Sequence, residues 1–174
     1  MQGKNQGMTF IELMITLSIA AVLLSIAMPS MGSFVQENRI TAMSNQLVAH
    51  LQYARHEAVF RRSHVAACPG SPDLGCAGHN RWDQGWIVFV DDNRSGQPER
   101  DEDIIRVVAR DERMLMHSAG RTRVRFQPHG GAFGTNLTIR VCDETRRAQP
   151  RAVIVSNPGR VRVEREIGLE ECEV

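Results

Sequence analysis

The sequence predicts an α+β protein: a long N-terminal α-helix, membrane-spanning in its first half and amphipathic in its second, packed on a C-terminal antiparallel β-sandwich. Three observations predict it. An apolar run of 21 residues, Met8 to Met28, has the length of a bilayer span. A helical period continues beyond Pro29 to Arg62. After Arg62 the chain breaks into short strand-like runs punctuated by Gly, Pro and Asn.

The apolar run follows a short polar flank, MQGKNQG, with a single lysine. A secretory signal would place small residues after the apolar core for cleavage. Here the core runs through Pro29 into more helix, so the segment is expected to be retained, and anything removed lies before it. One residue is out of place. Glu12 sits inside the apolar run, and a carboxylate in hydrocarbon costs a few kcal/mol or more. Pro29 is expected to kink or locally open the helix.

From Ser30 to Arg62, Ile40, Met43, Leu47, Leu51, Ala54 and Ala58 recur at steps of three and four. They form one apolar stripe, which must be buried against the remaining chain. The strand candidates follow: HVAACP, WIVFVDD, DIIRVVA, TRVRFQPHGG, LTIRVCDE, RAVIVS and GRVRVE. In the fourth, Arg123 and Arg125 fall on one face and Val124 and Phe126 on the other. Trp82 and Trp86 are assigned to the sandwich core or its rim.

The chain has 174 residues and a formal charge of only +1, which hides a segregation. Twenty of its 21 basic residues are arginine, Lys4 being the exception. Between Arg121 and Arg165 ten arginines face only Asp143, Glu144 and Glu164, a local charge of +7. Between Asp73 and Glu112 ten acids face five arginines. A cationic C-terminal half points to an anionic partner, against the plainer reading of a solvated arginine surface.

Four cysteines beside an export-like segment suggest an oxidising compartment and two disulfides. Of the three possible pairings, Cys68–Cys76 and Cys142–Cys172 are favoured: the first closes a short Pro/Gly-rich loop, the second staples the C-terminal tail. A metal site from His64, Cys68, Cys76 and His79 fits no common zinc spacing. Asp91-Asp92-Asn93-Arg94-Ser95-Gly96 with Glu102 nearly matches a calcium loop, but a hairpin connection explains the same residues, so no metal and no cofactor is expected. The histidines are scattered and no Ser or Cys has a nucleophile's context, so no catalytic residue is expected.

Gly7-Met8-Thr9-Phe10-Ile11-Glu12, the apolar run and Pro29 together resemble the type IV pilin N-terminus. The resemblance implies residues 1–7 as a prepilin leader, cut after Gly7 by a prepilin peptidase that methylates Met8. Residues 8–29 are then the transmembrane and assembly helix, 30–62 the amphipathic helix and 63–174 the β-rich domain. Glu12 is implied to pair with the N-methylated amine of a neighbouring subunit, which would lower the cost of its charge and fix register. Further along, QLVAHLQYARHEAVFRRSHVAACP, GWIVFVDDNRSG, RFQPHGG and NPGRVRVE resemble the GspH/FimT group of minor pilins and pseudopilins. That implies a non-enzymatic subunit of a Gram-negative bacterium, held in the inner membrane with a periplasmic domain and then built into a surface fibre with other pilins.

The group divides by machine. FimT-like members serve type IV pili, and some bind DNA in natural transformation. GspH-like members serve type II secretion in a structural role. The Gly159-Arg160-Val161-Arg162 stretch looks like the DNA-binding motif of the former. On an alternating strand Arg160 and Arg162 share one face, about 7 Å apart, close to the spacing of consecutive phosphates. Arg146, Arg147 and Arg151 are expected to extend the patch, and Arg165 is a further candidate. With few aromatics nearby, the expected contact is to the phosphate backbone of double-stranded DNA, without sequence preference. An edge strand carrying arginine against aggregation is the plainer alternative.

Overall fold

In the computed structural model, residues 7–100, 103–165 and 167–172 are described, with backbone alone at 26–30. Residues 1–6 of the expected leader, and Glu102, lie outside them. One helix, α1, spans Phe10–Arg61, about 78 Å at the ordinary rise. Thr9 caps it. Its hydroxyl accepts from the Glu12 N–H, and the Glu12 carboxylate accepts from the Thr9 N–H at 2.9 Å. The two satisfy orphan amides reciprocally, a capping box that the T-x-x-E spacing encodes. The helix continues unbroken through Pro29 and stops at Arg62, which turns into the left-handed region at φ 54°. Among the described residues no helical window is long and apolar enough to cross a membrane. The apolar run of the sequence ends at Met28, in the part described by backbone alone.

Among the described residues, nine antiparallel strands follow in two sheets. The first sheet runs β2 (Gly75–Cys76), β1 (Val65–Ser71), β3 (Trp86–Val90), β4 (Ile104–Val108), with β6 (Val124–Phe126) pairing β1. The second runs β5 (Met114–Ser118), β7 (Leu137–Asp143), β8 (Arg151–Val155), β9 (Val161–Glu164). β5 was not among the expected strands. MLMHS lacks β-branched residues and clear alternation, so its sequence carries no strand signal. It forms because β7 pairs with it from Met114↔Asp143 to Ser118↔Ile139.

The stripe on α1 is buried where expected. Ile40, Leu47, Leu51, Ala54 and Ala58 are wholly covered, with Met43 packed at the margin. They meet Val65, Ala67, Val88 and Phe126 from the first sheet and Met116, Ile139, Val141 and Val153 from the second. The helix therefore closes a core that both sheets share. Trp82 and Trp86 are in that core, and Trp82 Nε1 donates to Ser118 Oγ at 3.1 Å, tying a 3-10 turn (Trp82–Gln84) to β5.

The bonds Cys68–Cys76 and Cys142–Cys172 close loops of 8 and 30 residues. The first sits in a small apolar cluster with Ala66, Ile87 and Phe89. The second fixes the tail to β7, where Glu171 also receives Arg140 Nε at 2.9 Å.

Candidate nucleic-acid interface

The stretch from Gly159 to Arg162 begins at a hairpin between β8 and β9. Pro158 cannot continue β8, and the Gly159 N–H returns to Ser156 O at 2.8 Å. Gly159 has φ +77°, open to glycine at no steric cost. It also touches the loop after β6. A Cβ on Gly159 would stand 1.8 Å from Gly130 O, an atom already bonded by Arg55 Nε at 3.0 Å. The neighbouring Ala132 N–H donates to Asn157 O at 2.8 Å. The hairpin tip is thus seated on α1 near Arg55 and on the 127–134 loop.

β9 is the edge of its sheet. Val161 and Val163 pack against the core, so alternation puts Arg160, Arg162 and Glu164 on the opposite side, and all three are exposed. Arg162 Nη1 lies 3.9 Å from Glu164 Oε2, both about half exposed, a contact too solvated to neutralise the arginine.

The other expected members of the patch are elsewhere. Arg151 faces α1, not the outer side. Its Nη2 is 2.6 Å from Glu37 Oε1, and Glu37 also accepts from Gln149 N–H at 3.2 Å. Alternation explains it: Arg151, Val153 and Val155 share the inward face of β8, and a cation there needs an acid on the helix. Arg146 and Arg147 are exposed on the β7–β8 loop, but at the Glu37 end of α1. Arg147 lies beside Gly32, and Arg146 shares a pocket with Asp143 and Glu144. Glu37 and Arg55 stand about 27 Å apart along the helix, so this loop and the Arg160 hairpin occupy opposite ends of the domain. Asp143 organises the loop by accepting from Thr145 Oγ1, Thr145 N and Arg147 N. Burial alone would raise its pKa, but these bonds outweigh it and hold the carboxyl below its ordinary value.

At the other end of the chain, Gly7 and Met8 are exposed and precede the cap, so the bond between them lies outside the helix. Glu12 is one turn in and exposed, bonded to Thr9.

The calcium-like loop is held by protein groups. Asp91, with no exposed side-chain surface, accepts from Arg125 Nε at 2.6 Å and Gly96 N–H at 3.0 Å. A guanidinium stands where a cation would bind. Among the described residues no group of acids, histidines and cysteines could hold a metal ion.

A helix capped by Thr9 just after Gly7-Met8, apolar first and then striped, laid on antiparallel sheets, defines a type IV pilin-like subunit. Residues 2–28 match the prokaryotic N-terminal methylation motif, and residues 43–159 match the family described as type II transport protein GspH. The chain belongs to the GspH family. Two crystal structures of the type IV minor pilin FimU of Pseudomonas aeruginosa share its fold. One has a TM-score of 0.59 at 23% identity, covering 75% of this chain and 92% of that one. The other has 0.56 at 22%, covering 71% and 91%. No curated protein sequence matches the chain significantly. Proteins of this family and fold are structural subunits, not enzymes.

Proposed function

We propose that this GspH-family protein is a FimT-like minor pilin that binds double-stranded DNA through the Gly159–Arg162 hairpin during uptake in natural transformation. It would be cut after Gly7 by prepilin peptidase and methylated on Met8. The apolar half of α1 would anchor it once through the inner membrane until Glu12 pairs with a neighbouring pilin's amine. The observation that carries the reading is the edge strand β9, which with the residue before it presents Arg160 and Arg162 outward; among the described residues the one acid within 4.0 Å of either guanidinium is Glu164, at 3.9 Å from Arg162. Two planar donors at phosphate spacing suit backbone contact without sequence preference. Arg146 and Arg147 form a separate exposed point at the far end of the domain, and Arg151 is spent on Glu37. Each contact is weak, so capture relies on several subunits acting together.

A mobility shift of the full chain in neutral detergent tests this. Arg160→Ala/Arg162→Ala should weaken duplex binding about tenfold or more and lower the salt slope by about two. Binding equal to the parent's would rule out the hairpin. The GspH family match favours a second reading, an assembly role in type II secretion. A parent that shifts no duplex at low salt would overturn the DNA reading and leave that one standing.

A further inference from the structure

A second arginine cluster lies outside the hairpin. Arg94 and Ser95 from the β3–β4 connection meet Arg121, Thr122 and Arg123 from the β5–β6 connection and Arg125 from β6 around an open pocket of about 410 Å³. Its lining contains none of Arg146, Arg147, Arg151, Arg160 or Arg162.

The cluster is built from a buried anchor outward. Asp91 binds Arg125 Nε, and Arg125 Nη2 donates in turn to Arg94 O at 3.0 Å. That bond helps hold Arg94 in the left-handed region at φ 61°, a conformation unfavourable for a non-glycine residue. Gly96 has φ +78° and no side chain, and the Arg123 guanidinium lies across it: a Cβ there would fall 1.3 Å from Arg123 Nη1. Arg121 Nη1 is held by Gly134 O. Asp91 turns inward to Arg125, so it leaves the rest of the pocket unneutralised. Among the described residues no carboxylate forms an ion pair with Arg94, Arg121 or Arg123.

Three uncompensated guanidiniums held around one concavity repel one another, and that repulsion is relieved by an anion between them. Beside it His64 has its pKa lowered by burial first, then by Arg94 and Arg125, against a smaller opposing effect of Asp91 and Asp92. A guanidinium presents paired donors to an oxyanion, and the Thr122 hydroxyl adds a neutral donor at the rim, while the Ser95 hydroxyl already donates to Gln97 O at 3.0 Å. The lining is far too charged for an apolar ligand.

We propose that this pocket is an oxyanion site that takes a phosphate group. It stands independently of the DNA-binding hairpin. It is joined to it mechanically, because Thr135 Oγ1 bonds Arg125 O and Ala132 O while Ala132 N–H bonds Asn157 O. The phosphate could belong to a nucleic-acid backbone or to a small phosphate compound.

The test titrates inorganic pyrophosphate into the full chain in neutral detergent at about 50 mM salt, by calorimetry. Arg94→Gln/Arg123→Gln removes two side chains that make no hydrogen bond or ion pair among the described residues, and it should weaken binding about tenfold or more. Arg160→Gln/Arg162→Gln should leave it within about twofold. A parent that shows no saturable binding overturns the site, as does an Arg94→Gln/Arg123→Gln chain that binds like the parent. A short DNA duplex separates the sources. Weaker duplex binding by Arg94→Gln/Arg123→Gln assigns the phosphate to nucleic acid, and unchanged duplex binding assigns it to a small compound; either supports the site. Duplex binding indifferent to Arg160→Gln/Arg162→Gln would sink the hairpin reading and leave the pocket standing.

Discussion

Gly159→Ala is the sharpest perturbation the hairpin offers. Two costs arise. At φ +77° a Cβ is strained against its own backbone, about 1–2 kcal/mol. The same Cβ would stand 1.8 Å from Gly130 O and 3.3 Å from Arg55 Nε, so the hairpin must lift from the 127–134 loop. Overpacking of this kind costs about 1–3 kcal/mol. Lifting also stretches the Ala132–Asn157 and Arg55–Gly130 bonds, so the total should reach about 3–5 kcal/mol. At about 2–4 °C per kcal/mol for a chain of this size, the melting temperature should fall by about 6 °C or more. Gly78→Ala is the control. It has φ +76° and nothing within 4 Å, so it carries the backbone strain alone and should lose about 1–2 kcal/mol. Scanning fluorimetry of the full chain in detergent compares the two. Equal losses for Gly159→Ala and Gly78→Ala would refute the claim that contact with Gly130 seats the hairpin.

Replacing Cys142 and Cys172 by alanine should cost about 3.6 kcal/mol from the 30-residue loop, and replacing Cys68 and Cys76 about 2.5 kcal/mol from the 8-residue loop, an order that denaturant unfolding would check. Asp91→Ala strands Arg125 and the Gly96 amide, and should destabilise by about 3 kcal/mol in the same assay. His117 is 5% exposed, and burial first, then Arg140 and Arg81, push its pKa below 6.5. The folded state thus keeps it neutral while the unfolded chain takes a proton as pH falls through 6.5. Stability is fully present above that pH and should decline below it, by about 1 kcal/mol per unit until the folded pKa is passed. His117→Gln should make this limb shallower in melts run from pH 7.5 to 5, the remainder belonging to His50 and His64, whose pKa values are also lowered, by burial first.

The parts of the fold legible in the sequence were those written in a period. The stripe from Ile40 to Ala58 and the alternation of Val161 with Arg162 each follow from geometry local to one element. β5 was illegible because its stability comes from β7, far along the chain. The site was legible in part for the same reason. Alternation gives the faces of Arg160 and Arg162, but it could equally have warned that Arg151 shares a face with Val153 and Val155. The T-x-x-E capping box was present in the sequence too, overshadowed by the question of why a carboxylate sits among apolar residues. Which end of the sheet a loop occupies has no local signature, so the distance between Arg146 and Arg160 could only come from the three-dimensional pairing.

Counting charge along the chain turned out to use the wrong unit. The +7 of residues 121–165 is partly internal: Arg125 answers Asp91, Arg140 answers Glu171, and Arg151 answers Glu37. Each of these acids lies outside that window, in the acidic half, the tail or the helix. Conversely, the acidic half supplies Arg94 to a cationic pocket. What a passing anion meets is decided by which guanidiniums remain uncompensated after folding. In this protein those include Arg160 at the start of the edge strand's hairpin and Arg94, Arg121 and Arg123 around one concavity, two sites whose separate substitution distinguishes a single DNA-binding hairpin from a surface that grips phosphate in two places.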